Sequence, residues 1–189
     1  MTKPSWKIYA LAVIAIMAFT AMIELWMGRL PFCKCGIIRL WAGDIWSNEN
    51  SQQLTDPYTF THILHGAILY GLVWWVAGKR WPLGARLIAA VLLESGWEIL
   101  ENSSFIIERY RSATISLDYY GDSIFNSMGD ICAMMTGFFL AYKLPVRVTI
   151  LGAVLVDLAL LLWIRDSLAL NILMLIHPIA AIKSWQMVR

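Results

Sequence analysis

Between positions 8 and 27 the chain runs for twenty residues with Glu24 as the sole charged side chain. Further apolar runs occupy 59–77, 87–104, 123–141 and 148–164. About 20 residues of helix cross the ~30 Å hydrocarbon layer of a bilayer. Inside that layer every backbone N–H and C=O must be satisfied internally, which leaves only helices and closed barrels. The runs are too long and too continuously apolar for barrel strands. The expectation is an all-α, polytopic transmembrane helical bundle with five spans. A sixth piece, 168–185, contains Asn171, His177 and Pro178 and reads either as a C-terminal sixth span or as an interfacial helix. The first run is too long for the apolar core of a secretory signal, and no small-x-small cleavage site follows it.

Composition agrees: 59% of residues are hydrophobic and 15% charged, where a soluble domain carries about 45–50% and about 25%. Disorder, a coiled coil and a secreted disulfide scaffold are excluded. A net charge of +2 gives no footprint for nucleic acid. With no internal repeat, residues 1–189 read as one integral membrane domain.

Basic residues orient the bundle. Lys3 and Lys7 precede the first run, Lys79, Arg80 and Arg86 separate the second and third, and Lys143 and Arg147 separate the fourth and fifth. By the positive-inside rule these segments and the N-terminus face the cytoplasm. Loops 28–58 and 105–122 then face outward, as do Arg165 and Asp166. Lys183 and Arg189 fall inside if the last piece spans. Trp74, Trp75 and Trp81 read as an inner aromatic belt.

Ionisable residues within spans are costly and by default mark function. The second run opens with Tyr58, His62 and His65, the third carries Glu94, Glu98 and Glu101, and the fourth opens with Asp122, Asn126 and Asp130. Steps of three and four place each set on one helix face. Counting 1.5 Å per residue from the outer boundary puts these groups at depths of roughly 5–12 Å. Three stripes therefore meet at one level in the outer half of the membrane.

Two readings compete for this convergence. One is a polar network that holds helices together. The other is a site open to the outer face, with His62, His65, Glu98, Glu101, Asp122, Asn126 and Asp130 as candidate catalytic groups. His62, His65, Glu98 and Asp122 could bind a divalent metal such as zinc; the same residues could instead move protons without one. Carboxylates outnumber nearby cations. Arg109 and Arg111 could neutralise them or hold an anionic headgroup.

The outer segment SSFIIERYRSATISLDYYGDS reads either as an interfacial loop with a tyrosine belt or as a headgroup clamp, with Tyr119 and Tyr120 joining the two arginines. In the other outer loop, Cys33 and Cys35 form a C-x-C pair that could bind a soft metal or form a disulfide. SNENSQQLTD is rich in turn formers, and Asp56 with Pro57 could cap the second span. Cys132 reads as a small core residue, Asp157 as a hydrogen-bond partner of a neighbouring helix, and His177 as interface or site. Glu24 could join the outer cluster.

The strings SQQLTDPYTFTHILHG, ESGWEILENSSFIIERYRSATISLDYYGDSIFNSMGD and IRDSLALNILMLIHP resemble an uncharacterised family of small inner-membrane proteins, mostly alphaproteobacterial. The resemblance runs from the CKCG segment to the C-terminus and implies a multi-pass protein of the bacterial inner membrane. A looser resemblance is to VanZ-like proteins, which have a His in one helix, a Glu in a later one, then an Arg and a D-x-x-x-N motif. His65, Glu98, Arg109 and Asp122 with Asn126 would fill those places. VanZ-like proteins are linked to teicoplanin resistance. This chain differs in its second His, in Glu94 and Glu101, and in CKCG.

The reading favoured is a membrane-embedded hydrolase or transferase, with or without metal, acting on a membrane lipid or lipid-linked headgroup. The alternative is a non-enzymatic accessory, assembly or cofactor-binding subunit of a membrane-protein complex. An open cavity reaching His62 and Glu98 would mark the enzyme; closed pairing, with an exposed face around Phe138 and Phe139, would mark the subunit. A transporter ranks last, because the ionisable groups thin out toward the cytoplasmic half.

Overall fold

A computed structural model describes residues 5–188 and is helical throughout, without strands among the described residues. Lys3 and Arg189, two of the charges that bear on orientation, lie outside the described residues. The helices are α1 (Trp6–Trp26), α2 (Thr59–Ala77), α3 (Leu83–Glu101), α4 (Ser104–Ala113), α5 (Ile124–Lys143), α6 (Val146–Ile164), α7 (Leu168–Ile176) and α8 (Ala180–Gln186), with a 3-10 turn, Gly78–Arg80, closing α2.

Four helices among the described residues are long and apolar enough to cross a membrane: α1, α2 with its closing turn, α5 and α6. The fifth expected span, α3, has 19 residues like α2 and α6 but carries Arg86, Glu94, Glu98 and Glu101. It packs against α1, α2 and α5, and both Glu94 and Glu98 are buried. Its polarity therefore faces protein.

Helices α2 and α5 share the largest helix–helix interface. They run parallel, and glycines let their backbones touch. A Cβ on Gly66 would lie 1.9 Å from the Met134 carbonyl oxygen, and one on Gly137 1.9 Å from that of Ile63. Small residues at such seams allow close van der Waals packing where lipid offers no hydrophobic drive for association. Away from the polar stripes, Val13, Leu87, Ala90, Val91, Ile131, Met134 and Phe138 form the apolar core. Leu151, Leu155, Leu158 and Leu162 on α6 stay exposed, as does Trp163, a surface suited to lipid. Trp74, Trp75 and Trp81 are exposed at the other end of the bundle from Trp26 and Trp163, as two aromatic belts require.

Two expectations change, and one open choice is narrowed. Residues 104–113 form a helix inside the segment expected to be a loop. Ser103 caps it by accepting from Ile106 N, and it buries Ile106, Ile107, Tyr110 and Ala113. That apolar stripe is one narrow turn wide and is masked in sequence by Glu108, Arg109 and Arg111. Cys132 is exposed and not in the core, because Ile131 and Met134 occupy the inward face of α5. The piece 168–185 is no continuous span. Pro178 divides it into α7 and α8, of 9 and 7 residues, and each is far shorter than a ~30 Å layer requires. Gln186 Nε2 donates to Arg165 O (3.0 Å), and Lys183 Nζ to Ser112 O (2.7 Å). Both helices stay at the end where α3 and α6 finish, so Lys183 does not support a sixth span. Asp157 accepts from Ala169 N (3.3 Å) at the start of α7, as expected of a span-to-neighbour bond.

Candidate functional site

The starts of α2 and α5 and the end of α3 meet at His62. Its Nδ1 lies 2.7 Å from Glu94 Oε1. His65, one turn further along α2, places its own Nδ1 3.0 Å from the same oxygen. One carboxylate thus aligns two imidazoles through matching nitrogens and sets which nitrogen of each is left for other work. Glu98 lies 3.4 Å from His62 Nδ1 but makes no hydrogen bond, since that nitrogen is directed at Glu94. On the opposite edge of the ring, His62 Nε2 is 3.8 Å from Asp130 Oδ2, and Asp130 accepts from Thr59 Oγ1 at 3.1 Å.

A second branch lies beside this cluster. Asn102 donates to Asp122 Oδ2 (3.2 Å) and accepts from Asp122 N (2.7 Å), and Tyr119 Oη donates to Asp122 Oδ1 (3.0 Å). Burial, then the neighbouring Glu101, holds the Asp122 carboxyl well above its usual range. Glu101 meets the hydroxyl of Tyr110 from α4. Glu24, fully buried on α1, faces Ser127 and leaves both oxygens without hydrogen bonds.

Other sequence candidates hold the scaffold. Asn126 Nδ2 donates to Gln53 O (2.9 Å), and Ser123 Oγ to Gln52 O (3.0 Å), so the SQQL segment is laced onto the start of α5. Gln52 and Gln53 are fully buried, although their surroundings in sequence read as a solvated turn. Asp56 accepts from Ser51 N and Tyr58 N, both at 2.7 Å, and closes the turn before α2. Arg109 Nε donates to Leu175 O (2.7 Å) and caps α7 instead of meeting the carboxylates. Arg111 donates to Tyr119 O, and Lys34 rests 4.7 Å from the Tyr120 ring centre. His177 is exposed at the end of α7. Cys33 and Cys35 are joined as a disulfide, which leaves neither sulfur free as a ligand.

Two groups among the described residues have ligand atoms within 4.8 Å of one another and could hold a metal: His62, His65 and Glu94, and His62, Glu98 and Glu101. Asp122 belongs to neither. Glu94, absent from the four ligands expected from sequence, is the residue that joins the two histidines. Glu98, 0% exposed with neither oxygen hydrogen-bonded, is the kind of buried carboxyl group that a cation would satisfy.

Two cavities meet at His62. One is a groove of about 380 Å³ between α2, α3, α4 and α7; apolar side chains such as Ile68, Leu72, Leu93 and Ile172 line it, and His62, His65 and Glu94 form its polar floor. The other, of about 40 Å³, is walled by Asp56, Tyr58, His62, Glu101, Tyr110, Asp122 and Asp130 among others. It has room for an ordered water. Tyr58 and Tyr110 border both cavities.

The family model described as "Protein of unknown function (DUF2585)" matches residues 24–188. The chain belongs to this DUF2585 family. It is 48% identical to a UPF0314 protein of Brucella anthropi over 98% of the chain and 95% of that protein. It is 50% identical to one of Rhizobium etli over 93% and 89%, and 49% identical to one of Paracoccus denitrificans over 98% and 93%. No solved structure matches the DUF2585 chain.

Asp166 joins α2 to α7 at the groove's edge, accepting from Tyr58 Oη (3.2 Å) and Ser167 N (2.9 Å). Burial raises its pKa from 3.8 to about 6, against the pull of those bonds. The folded state holds this proton more tightly than the unfolded chain does. The stabilisation is therefore complete below pH ~3.8 and is lost as pH rises through ~6. Relative to Asp166→Asn, the wild-type protein should lose on the order of 3 kcal/mol of stability across that window. Parallel melting curves for the two proteins at each pH would contradict this.

Proposed function

We propose that this DUF2585 protein is a membrane-embedded hydrolase or transferase acting on a lipid or lipid-linked headgroup at the outer leaflet of the bacterial inner membrane, with its N-terminus in the cytoplasm. The observation that carries the proposal is the groove: an apolar channel, bounded in part by exposed helix faces, ends on two histidines aligned by one buried glutamate. An acyl or isoprenoid chain would lie along Ile68, Leu72 and Ile172, and its headgroup linkage would reach His65. His62 would exchange a proton with a water in the small cavity through Nε2, with Asp130 beside it and Glu94 holding the ring. Glu98 and Glu101, with the histidines, would hold a divalent cation such as zinc where one is bound; it would supply Lewis acidity and a more acidic water.

The accessory-subunit reading has less support. Phe138, expected on an exposed docking face, is fully buried, and Glu98 makes no hydrogen bond where a closed packing network would make one.

Two measurements test the proposal. Metal content by mass spectrometry should be near one ion per chain in wild type and lost in His65→Ala with Glu98→Ala. Metal kept by that variant and lost in Cys33→Ser would move the ion to the CKCG loop. Proteoliposomes of bacterial inner-membrane lipids, followed by lipid mass spectrometry, should show a species converted by wild type and left intact by His62→Ala. Identical lipid profiles for the two would refute the enzymatic reading.

A further inference from the structure

A third cavity, of about 370 Å³, opens on the side of α4 away from the groove, between α4 and the segment that follows α1. Arg29, Lys34 and Arg111 all line it. Arg29 and Lys34 lie close together in the segment after α1, and Arg111 lies far along the chain on α4, so no local motif announces the three together. Among the described residues none of the three makes an ion pair. Arg29 donates to Tyr120 O and Arg111 Nε to Tyr119 O, both uncharged carbonyls, and Lys34 sits over the Tyr120 ring. Arg29 Nε is buried without any hydrogen-bond partner. Surface cations with nothing to bind usually splay into water; these three are gathered around one concavity, and beyond its lining only the buried Glu24 lies within electrostatic reach of Arg29.

Two carboxylates share the lining, Glu108 and Asp122. Glu108 is exposed, where solvent screens it. Asp122 spends both carboxyl oxygens on Asn102 and Tyr119, so the three cations outnumber the carboxylates of the lining. The field in the pocket is therefore cationic.

We infer that this pocket is an anion site for a phosphoryl group, with Arg29, Lys34 and Arg111 as its ligands. Guanidinium groups match tetrahedral oxyanions in bidentate fashion, and a lysine adds a point charge. The pocket is far larger than a single water's ~30 Å³ and can admit a phosphate with part of what it is esterified to. Asp122 lines both this pocket and the small polar cavity, and His62 lines both that cavity and the groove. An anion bound here thus stands one residue away from the cavity that His62 faces. Its role as part of a substrate rests on the enzymatic reading above; the binding itself does not.

The same chemistry is offered by a lipid headgroup and by free phosphate. The test uses the full chain in phosphatidylcholine nanodiscs. Inorganic phosphate is titrated calorimetrically. Separately, nanodiscs doped with phosphatidic acid are examined for lipid retained by the protein in native mass spectrometry. One of these probes should bind saturably near one per chain. Arg111→Gln with Lys34→Gln, both at exposed positions, should weaken it roughly tenfold or more. Arg109→Gln, which removes a cation that caps α7, should leave binding unchanged. Phosphate taken up from solution identifies a free-anion site; phosphatidic acid retained without phosphate uptake identifies a headgroup site. Neither probe binding, or binding that the double variant leaves intact, overturns the assignment. Binding that survives while the lipid profile is unchanged by wild type would fail the enzymatic reading and keep the pocket.

Discussion

Gly66→Ala is expected to yield almost no folded protein. The added methyl would sit 1.9 Å from the carbonyl oxygen of Met134 and 2.6 Å from Phe138 N. Both are backbone atoms of α5, so no rotamer change relieves the collision; α2 and α5 must move apart. Overpacking a tight interior typically costs about 1–3 kcal/mol even where side chains can yield. Here the separation also opens the Gly137–Ile63 contact on the same seam and pulls His62 away from Asp130. A loss beyond about 3 kcal/mol takes a large share of the ~5–15 kcal/mol that holds a typical domain folded. Gly71→Ala is the matched control: its Cβ meets nothing within 4 Å, and the helix gains up to about 1 kcal/mol of propensity. Size-exclusion profiles and thermal melts of both variants in one detergent decide the matter. A monodisperse Gly66→Ala protein melting with wild type would show that the seam is looser than the structure has it.

The second expected result runs the other way. Glu98→Met should raise the melting temperature in the presence of a chelator and abolish metal binding and turnover. Glu98 is 0% exposed, and neither oxygen has a hydrogen-bond partner. An unsatisfied buried polar group costs about 1–3 kcal/mol, and methionine fills similar space without that cost. For a chain of this size each kcal/mol moves the melting point by about 2–4 °C. Residues kept against stability are characteristic of working sites. The chelator matters because a bound cation would stabilise wild type by mass action and hide the gain. A Glu98→Met protein that melts lower than wild type in chelator would mean that the Glu98 carboxyl group is a structural element and not a group held at a cost to stability.

Much of the site's membership was legible in the sequence, because helical spacing alone puts His62 with His65, and Glu94 with Glu98, on single faces. The depth count also brought α2, α3 and α5 to one level. Their relative importance was not legible. Glu94 and Glu98 look alike in the string, yet one aligns two imidazoles and the other stands 3.4 Å from His62 without a hydrogen bond. That difference comes from how α3 is rotated against α2, which no local pattern encodes. Arg109 and Arg111 were equal candidates for anion binding. They lie 2 positions apart and so on different faces of α4, which sends one to α7 and the other to the basic pocket. Arg29 and Lys34 could not be paired with Arg111 from sequence, since only the folding of the loops over α4 brings them together. Gln52 and Gln53 were read as turn residues because burial by a distant helix start leaves no trace in their neighbours.

What the sequence determined by itself is the class of fold and the presence of helices long and apolar enough to cross a membrane. Twenty-residue apolar runs admit only helices in lipid, because unpaired backbone groups there cost too much to leave open. The polar stripes followed from the same geometry, since 3.6 residues per turn is a property of the backbone. Only the tertiary structure decided that the last apolar piece folds into two short helices beside the site, that α4 separates an apolar groove from a basic pocket, and that His62 stands between two cavities. These depend on contacts between residues far apart in the chain. The energies of such contacts depend on shape and distance in three dimensions, and nothing in the one-dimensional pattern records them.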